Sequence, residues 1–189
     1  MQRNRIGYRG RTDEVVPMSK VRLRLVAGWL LAAACAFAQA PNPFMSELKQ
    51  FYNIRKGDLL KAADRMPAED YGFRPTPEVR TFGQLIAHVA DAQMGFCSGA
   101  KGQPKRLNAA AKTSKAELVA ALKASFDECD GVFDVTTDAA AVQMMKSGDA
   151  EHSKHWSLLY ATLHDTEEYG YLAVYLRLKG LIPPSTNAR

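Results

Sequence analysis

The sequence has few of the residues that build disulfide scaffolds or low-complexity chains. Among 189 residues there are only three cysteines, nine prolines and 13 glycines. So few cysteines exclude a disulfide-rich scaffold, and so little proline and glycine excludes a low-complexity chain. Apolar residues make up 47% of the total, which is enough for a hydrophobic core. The length fits one globular domain.

Most of the chain also lacks an excess of charge of one sign. The formal net charge is +5, but residues 1–40 alone contain seven basic and two acidic residues. Residues 41–189 therefore hold 18 of each sign and are neutral. A neutral domain lacks the basic surface on which sequence-independent phosphate binding depends, so no nucleic-acid partner is expected.

Several patterns that mark known chemistries and membrane spans are absent too. The sequence has no Gly-rich phosphate loop, no serine-centred nucleophile turn and no pair of acids of the glycosidase type. Its longest apolar run, Leu25–Ala38, has 14 residues, too few for a helix to cross a hydrocarbon core of ~30 Å. The mature protein is therefore expected to have no stable membrane span.

Residues 18–40 have the pattern of a cleavable signal peptide. Three basic residues precede the apolar run, and alanines at positions 36, 38 and 40, at its end and just beyond it, have the spacing of cleavage sites. We therefore expect a periplasmic or secreted protein. Residues 1–17 are polar and unpatterned, so Met18 is expected to be the true start and residues 1–17 a wrongly assigned extension. A weaker alternative is lipid attachment at Cys35, which lacks the leucine expected three positions earlier.

Apolar residues recur every three or four positions in four segments, a spacing that predicts amphipathic helices. The first covers Pro43–Met66, the second Thr81–Ser98 and the third Ser114–Asp134, and the fourth runs from about Ser153 to Gly180. The second and third begin with capping boxes of the form Thr-x-x-Gln and Ser-x-x-Glu. No alternating pattern of useful length indicates a strand, so the segment between the third and fourth helices is expected to be a linker.

These segments predict an all-α protein in which residues 41–189 form one four-helix bundle. Residues 99–113 are basic, rich in small residues and unpatterned. A loop of this length between the second and third helices is a long crossover, which allows two consecutive helices to run parallel.

Cys97 and Cys129 bear on the direction of the helices. Cys97 lies at the end of the second helix and Cys129 in the second half of the third. In an oxidising compartment the pair is expected to form a disulfide, which needs Cα atoms roughly 4.4–6.8 Å apart. Parallel helices could offer that distance, whereas antiparallel neighbours could not. The alternative is that both cysteines are small buried residues that stay reduced.

Two helices carry residues that could bind a metal. His88 lies in the second helix, and His164 and Glu168 lie four residues apart on one face of the fourth. Such a set could hold a divalent Zn, Ni, Fe or Mn ion, lowering the pKa of a bound water or binding a thiolate or carboxylate. Asp91 and Glu167 are candidates to orient a ligand or accept a proton. On spacing alone, hydrogen-bonded histidines are the commoner explanation, and His152 and His155 are expected at a solvated helix end.

At these residues the chain resembles the DinB-like superfamily of metal-binding four-helix bundles. The resemblance rests on YGFRPTPEVRTFGQLIAHVADAQ (71–93) and LHDTEEYGYLAVYLRLKGLIPPS (163–185). It implies an up-down-down-up order with the second and third helices parallel. It also implies three metal-binding histidines, one in the second helix and two in the fourth. His88 and His164 match the first two, whereas Glu168 stands at the third position, where histidine is common.

The resemblance implies two functions that differ in kind. The first is an exported metal-binding protein, a hydrolase or transferase of a small-molecule substrate with a site made of His88, His164 and Glu168. Characterised relatives include thiol-dependent transferases and isomerases, whose thiols act in the cytosol, so export argues against that activity. The second is a non-catalytic envelope protein that has lost its metal and binds a small ligand in the bundle. Either could be a homodimer.

Overall fold

The computed structural model describes residues 42–147 and 150–188. The expected extension (1–17), the expected signal peptide (18–40) and Cys35 lie outside the described residues. Within them, no helix is both long and apolar enough to cross a membrane.

Four long helices dominate the described part of the chain, as the sequence predicts. They are α1 (Pro43–Arg65), α2 (Phe82–Ala100), α3 (Lys115–Phe133) and α5 (Lys154–Leu178). A short helix, α4 (Asp138–Ala141), precedes α5, and three 3-10 turns lie at Ala68–Asp70, Ala109–Ala111 and Pro184–Ala188. The predicted all-α bundle is confirmed, with helix ends within a few residues of those predicted.

Local hydrogen bonds explain why the helices begin where they do. The Thr81 hydroxyl accepts a hydrogen bond from the backbone N–H of Gln84 at 3.2 Å, and the side-chain oxygen of Gln84 accepts one from the backbone N–H of Thr81 at 2.9 Å. Ser114 and Glu117 form the same capping box at the start of α3. Ser153 caps α5 by accepting from the Trp156 amide at 3.1 Å. These bonds satisfy backbone donors that a helix start leaves free.

Contacts at both ends show that α2 and α3 run parallel. Near their starts, a Cβ added at Gly83 would lie 3.3 Å from Leu118 Cδ1, so the helices approach closely there. Near their ends, a disulfide joins Cys97 to Cys129 with a Cα–Cα distance of 5.0 Å. The predicted disulfide is therefore present in the structure, and the long crossover returns the chain along the full length of α2.

The other two helices complete the up-down-down-up order. Helix α1 runs antiparallel to α3, because the Lys115 ammonium at the start of α3 donates to the carbonyls of Asp64 and Met66 at the end of α1. Helix α5 runs antiparallel to α2, because the Tyr175 hydroxyl near the end of α5 donates to the carbonyl of Arg80, just before α2, at 2.7 Å. Large apolar side chains fill the space between the helices; Tyr52, Leu59, Phe82, Ile86, Leu122, Phe126, Leu172 and Leu176 are almost completely buried.

The segment between α3 and α5 differs from the prediction of a linker without strands. It contains α4 and a two-stranded antiparallel hairpin, β1 (Met144–Ser147) and β2 (Ala150–Ser153), in which Met144 pairs with Ser153. The strands have four residues each and no run of alternating apolar residues, which is why periodicity alone missed them. The two-residue Gly-Asp connection was the available signal for a hairpin.

Candidate metal centre

Helices α2 and α5 face each other and bring together the three predicted ligand residues. His88 is in the second turn of α2, and His164 and Glu168 are in the middle of α5. Because His164 and Glu168 are four residues apart, both point from one face of α5 towards α2. Each has one donor atom within 4.8 Å of those of the other two residues.

The spacing of these donor atoms fits coordination of one small ion. The two Nε2 atoms of His88 and His164 are 3.1 Å apart. Glu168 Oε1 lies 3.4 Å from His88 Nε2 and 3.7 Å from His164 Nε2. Two ligands of a tetrahedral ion, each about 2.0–2.1 Å from the metal, are roughly 3.3 Å apart. The three side chains are therefore already spaced as ligands.

The surroundings also set suitable protonation states for the two histidines. Burial and the neighbouring His88 lower the pKa of His164 to about 4. Burial and the positive charge of Arg80 lower the pKa of His88. Both imidazoles are thus neutral at pH 7, which is the form that binds metals.

Glu168 has the features of a carboxylate that needs a cation. Its side chain is only 6% exposed, and its Oε2 atom is buried without a hydrogen-bond partner in the described part of the chain. Burial raises the pKa of Glu168, and Arg80 opposes that rise. An unpaired buried carboxylate is costly, and a bound divalent ion would offset the cost. The residues present therefore fit a divalent metal ion.

One feature of a fully supported metal site is missing among the described residues. A histidine ligand normally donates its second ring N–H to a carboxylate or carbonyl. The Nδ1 atom of His164 is buried and has no such partner there. The His164 ring is held by packing, since Phe96 lies edge-to-face with it at a centroid distance of 5.7 Å and Tyr160 packs edge-to-face with Phe96 at 5.2 Å.

Asp91 and Glu167, the residues predicted to orient a ligand or accept a proton, form hydrogen bonds elsewhere in the structure. Both carboxylate oxygens of Asp91 accept backbone N–H groups of the crossover, from Ala109 at 2.8 Å and Ala110 at 3.1 Å. Glu167 accepts from the Tyr171 hydroxyl at 3.1 Å. No hydrogen bond joins either acid to His88, His164 or Glu168 in the described ranges. Asp91 thus positions the crossover, and Glu167 lies on the exposed side of α5.

Three residues near the site were not identified as functional from the sequence. Gln93 and Asp165 are completely buried, and the Gln93 amide donates to Asp165 Oδ2 at 2.8 Å. Burial and the neighbouring Glu168 raise the pKa of Asp165 well above its usual value. Arg80 lies just before α2. The sequence offered one signal for each of them. Gln93 is a glutamine in the apolar stripe of α2, Asp165 is an acid next to His164, and Arg80 is a base next to the capping residue Thr81.

A cavity of about 730 Å³ lies along the same two helices. It includes Leu85, one turn before His88 on α2, and Tyr171, one turn after Glu168 on α5. Its other lining residues are Pro75, Thr76, Glu78, Val79, Arg80 and Tyr175. The candidate centre therefore has aromatic side chains on one side and a ligand-sized cavity one helical turn away.

The fold and this site define a helical bundle with a His/His/carboxylate set, and family comparison agrees. The model of the DinB superfamily matches residues 50–172. The chain therefore belongs to the DinB superfamily, as its motifs indicate. No curated protein matches the sequence.

Solved structures with the same fold are distant in sequence. A DinB-like protein from Bacillus cereus is 17% identical with a TM-score of 0.64, over 72% of this chain and 93% of its own. A DinB-like protein from Bacillus subtilis is 14% identical with a TM-score of 0.59, over 71% and 92%. A histidine-to-alanine variant of a mycothiol-dependent maleylpyruvate isomerase is 12% identical with a TM-score of 0.55, over 68% and 60%. At these identities the likeness shows the fold alone.

Proposed function

We propose that this protein is an exported metal-dependent hydrolase or transferase, in which His88, His164 and Glu168 hold one divalent ion. The observation that carries the proposal is the spacing of the three donor atoms, 3.1, 3.4 and 3.7 Å, on two facing helices. Two neutral imidazoles and one carboxylate suit zinc, nickel, iron(II) and manganese(II), so the donor set does not select among them.

The ion would supply Lewis acidity. Residues of the chain would shape the access of the substrate to the ion and accept a proton. The His88 side chain is 34% exposed, which makes its edge the side from which a small molecule reaches the centre. Glu167 is the candidate proton acceptor, because it is exposed on α5 next to Glu168. Its negative charge also acts on the two histidines: it raises the pKa of His88 and of His164, although burial lowers both by more. Asp91 supports the site indirectly by fixing the crossover beside α2.

Export is supported by two features that are independent of the site. The pattern of residues 18–40 is that of a signal peptide, and a disulfide such as Cys97–Cys129 is typical of an oxidising compartment. The isomerase of similar fold is described as mycothiol-dependent. Because low-molecular-weight thiols of that kind act in the cytosol, we propose a substrate other than such a thiol conjugate.

Catalysis is tested by turnover with and without metal. The purified protein would be loaded in turn with zinc, nickel, iron(II) and manganese(II) and assayed with chromogenic carboxylic and phosphate esters, in water for hydrolysis and with an added amine acceptor for group transfer. We expect metal-dependent turnover that His88→Ala abolishes and that His155→Ala, a histidine outside the ligand set, leaves unchanged. If loaded protein turns over no substrate faster than chelator-treated protein, the proposed catalytic function is wrong.

One observation favours a non-catalytic alternative. The 3.1 Å separation of the two Nε2 atoms is also that of a hydrogen bond between two neutral imidazoles. A protein with that bond and the neighbouring cavity would be an envelope ligand-binding bundle that has lost its metal. It would show the same melting temperature with and without a chelator, whereas a metal-bound protein would be destabilised by the chelator.

A further inference from the structure

The cavity beside the candidate centre has an apolar base and a charged rim. Leu85 and Tyr175 are nearly buried, at 4% and 6% exposure, and form the base. Val79 and Pro75 add apolar surface from the connector between α1 and α2. A volume of about 730 Å³ is within the range of small-molecule sites. The cavity is therefore suited to a ligand with an apolar body.

Among the described residues, Arg80 is the only basic one that lines this cavity. Its backbone is fixed, because its carbonyl accepts from the Tyr175 hydroxyl at 2.7 Å and the next residue, Thr81, caps α2. Its guanidinium makes no ion pair among the described residues, where six pairs between Lys or Arg and a carboxylate are present. A guanidinium has planar donors that match a carboxylate in pairs. Arg80 is thus a free anion-binding group on a fixed backbone.

The cavity lies next to the candidate metal centre. Leu85 precedes His88 by one turn of α2, and Tyr171 follows Glu168 by one turn of α5. A ligand in the cavity would therefore lie close to the proposed metal ligands. Glu78, the acid that lines the same cavity, disfavours a ligand with several negative charges.

We propose that this cavity binds a small organic carboxylate, with the carboxylate on Arg80 and the apolar body against Leu85, Val79 and Tyr171. This inference rests on the proposed function, which places the metal at His88, His164 and Glu168, and it adds the class of substrate. The binding of the carboxylate to Arg80 itself does not require a metal.

Affinity measurements with matched probes test this inference. Phenylacetate, its neutral analogue phenylacetamide and acetate would be titrated calorimetrically into chelator-treated protein, where Arg80 alone supplies the preference for an anion. The variant Arg80→Met removes the guanidinium but keeps the backbone bond to Tyr175. Arg106→Met removes an exposed arginine of the crossover as the control, and melting temperatures verify that both variants fold.

We expect phenylacetate to bind at least about tenfold more tightly than phenylacetamide, and more tightly than acetate, which has no apolar body. Arg80→Met should remove the preference for phenylacetate over phenylacetamide, and Arg106→Met should retain it. The inference is overturned if no probe binds, if the acid and the amide bind equally well, or if Arg80→Met retains the preference.

The same titrations on zinc-treated protein separate this inference from the proposed function. If the protein takes up no zinc but chelator-treated protein shows the Arg80-dependent preference, the metal function fails and carboxylate binding stands. If the protein binds zinc but shows no Arg80-dependent preference, the carboxylate inference fails and the metal function stands.

Discussion

At the scale of single residues, His164 has the strongest electrostatic perturbation among the three candidate ligands. It is buried between α2 and α5, next to a second imidazole, so a positive charge on it is disfavoured by both desolvation and repulsion. These effects keep a lone pair available for a metal, but they also make the metal-free protein sensitive to acid.

The pKa of His164 predicts the sign and the range of this sensitivity. Its folded-state pKa is about 4, whereas an ordinary histidine has 6.5, so the unfolded chain binds more protons between these values. The contribution to the free energy of unfolding is complete above about pH 6.5 and is lost as the pH falls towards 4. The full shift would correspond to about 3.4 kcal/mol, which solvent screening reduces because His164 is partly exposed. We expect a loss of roughly 2–3 kcal/mol from this residue, measured by urea unfolding in the presence of a chelator.

The variant His164→Gln isolates this contribution, because glutamine cannot take up a proton. The raised pKa of Glu168 acts with the opposite sign, since it disfavours folding as the pH rises, but Glu168 is present in both proteins. We expect a smaller loss of stability on acidification in His164→Gln than in the unsubstituted protein. Equal losses in both would show that the His164 imidazole is not held neutral in the fold.

The sequence predicted the three candidate ligands that the structure brings together, but not their surroundings, for physical reasons. Helical spacing places His164 and Glu168 on one face of a helix, and the DinB-like motifs add His88 as the third member. Arg80 could not be assigned a role, because its effect depends on where the connector after α1 comes to lie. Asp165 was missed because spacing does not show that an acid next to a ligand is completely buried.

At the scale of secondary structure, the parallel pairing of α2 and α3 positions the site. Helix α2 carries His88, and it is fixed on its other side by the disulfide to α3 and by Asp91, which binds the returning crossover. Apolar periodicity and capping boxes predicted these elements well, and the two cysteines predicted their direction. The hairpin of β1 and β2 was missed because its strands are only four residues long and carry no apolar periodicity.

Removal of the disulfide should measurably destabilise this pairing. The two cysteines are 32 residues apart, and closing a loop of that length in the unfolded chain is worth about 3–4 kcal/mol in the chain-entropy description. We expect the double variant Cys97→Ala/Cys129→Ala to lose stability of that order in urea unfolding. A reductant should destabilise the unsubstituted protein but not the variant. A loss below about 1 kcal/mol would argue against a disulfide in the native protein.

At the scale of the whole molecule, charge and fold together describe a small neutral bundle, preceded in the sequence by the basic residues 1–40 that contain the expected leader. The neutral composition of residues 41–189 was read directly from the sequence, and the family model and the solved structures agree with the predicted fold. The specific activity could not be predicted in the same way, because the DinB fold is shared by proteins of very low sequence identity.

The leader makes a prediction of its own. When the full chain is expressed in a Gram-negative host, we expect a periplasmic product whose intact mass corresponds to a start at Gln39 or Pro41. Ala38→Arg alters both candidate cleavage sites and should leave the leader attached, whereas Phe37→Leu should be processed normally. A full-length cytoplasmic product from the unsubstituted chain would contradict export.

The metal content of the exported protein tests the central claim most directly. The full chain would be expressed with its own leader and without a histidine tag, purified from the periplasm and measured by inductively coupled plasma mass spectrometry. Our account predicts one divalent ion per chain, lost in His88→Ala and retained in His155→Ala. A protein that contains no metal, even after incubation with zinc, nickel, manganese and iron(II), would contradict it.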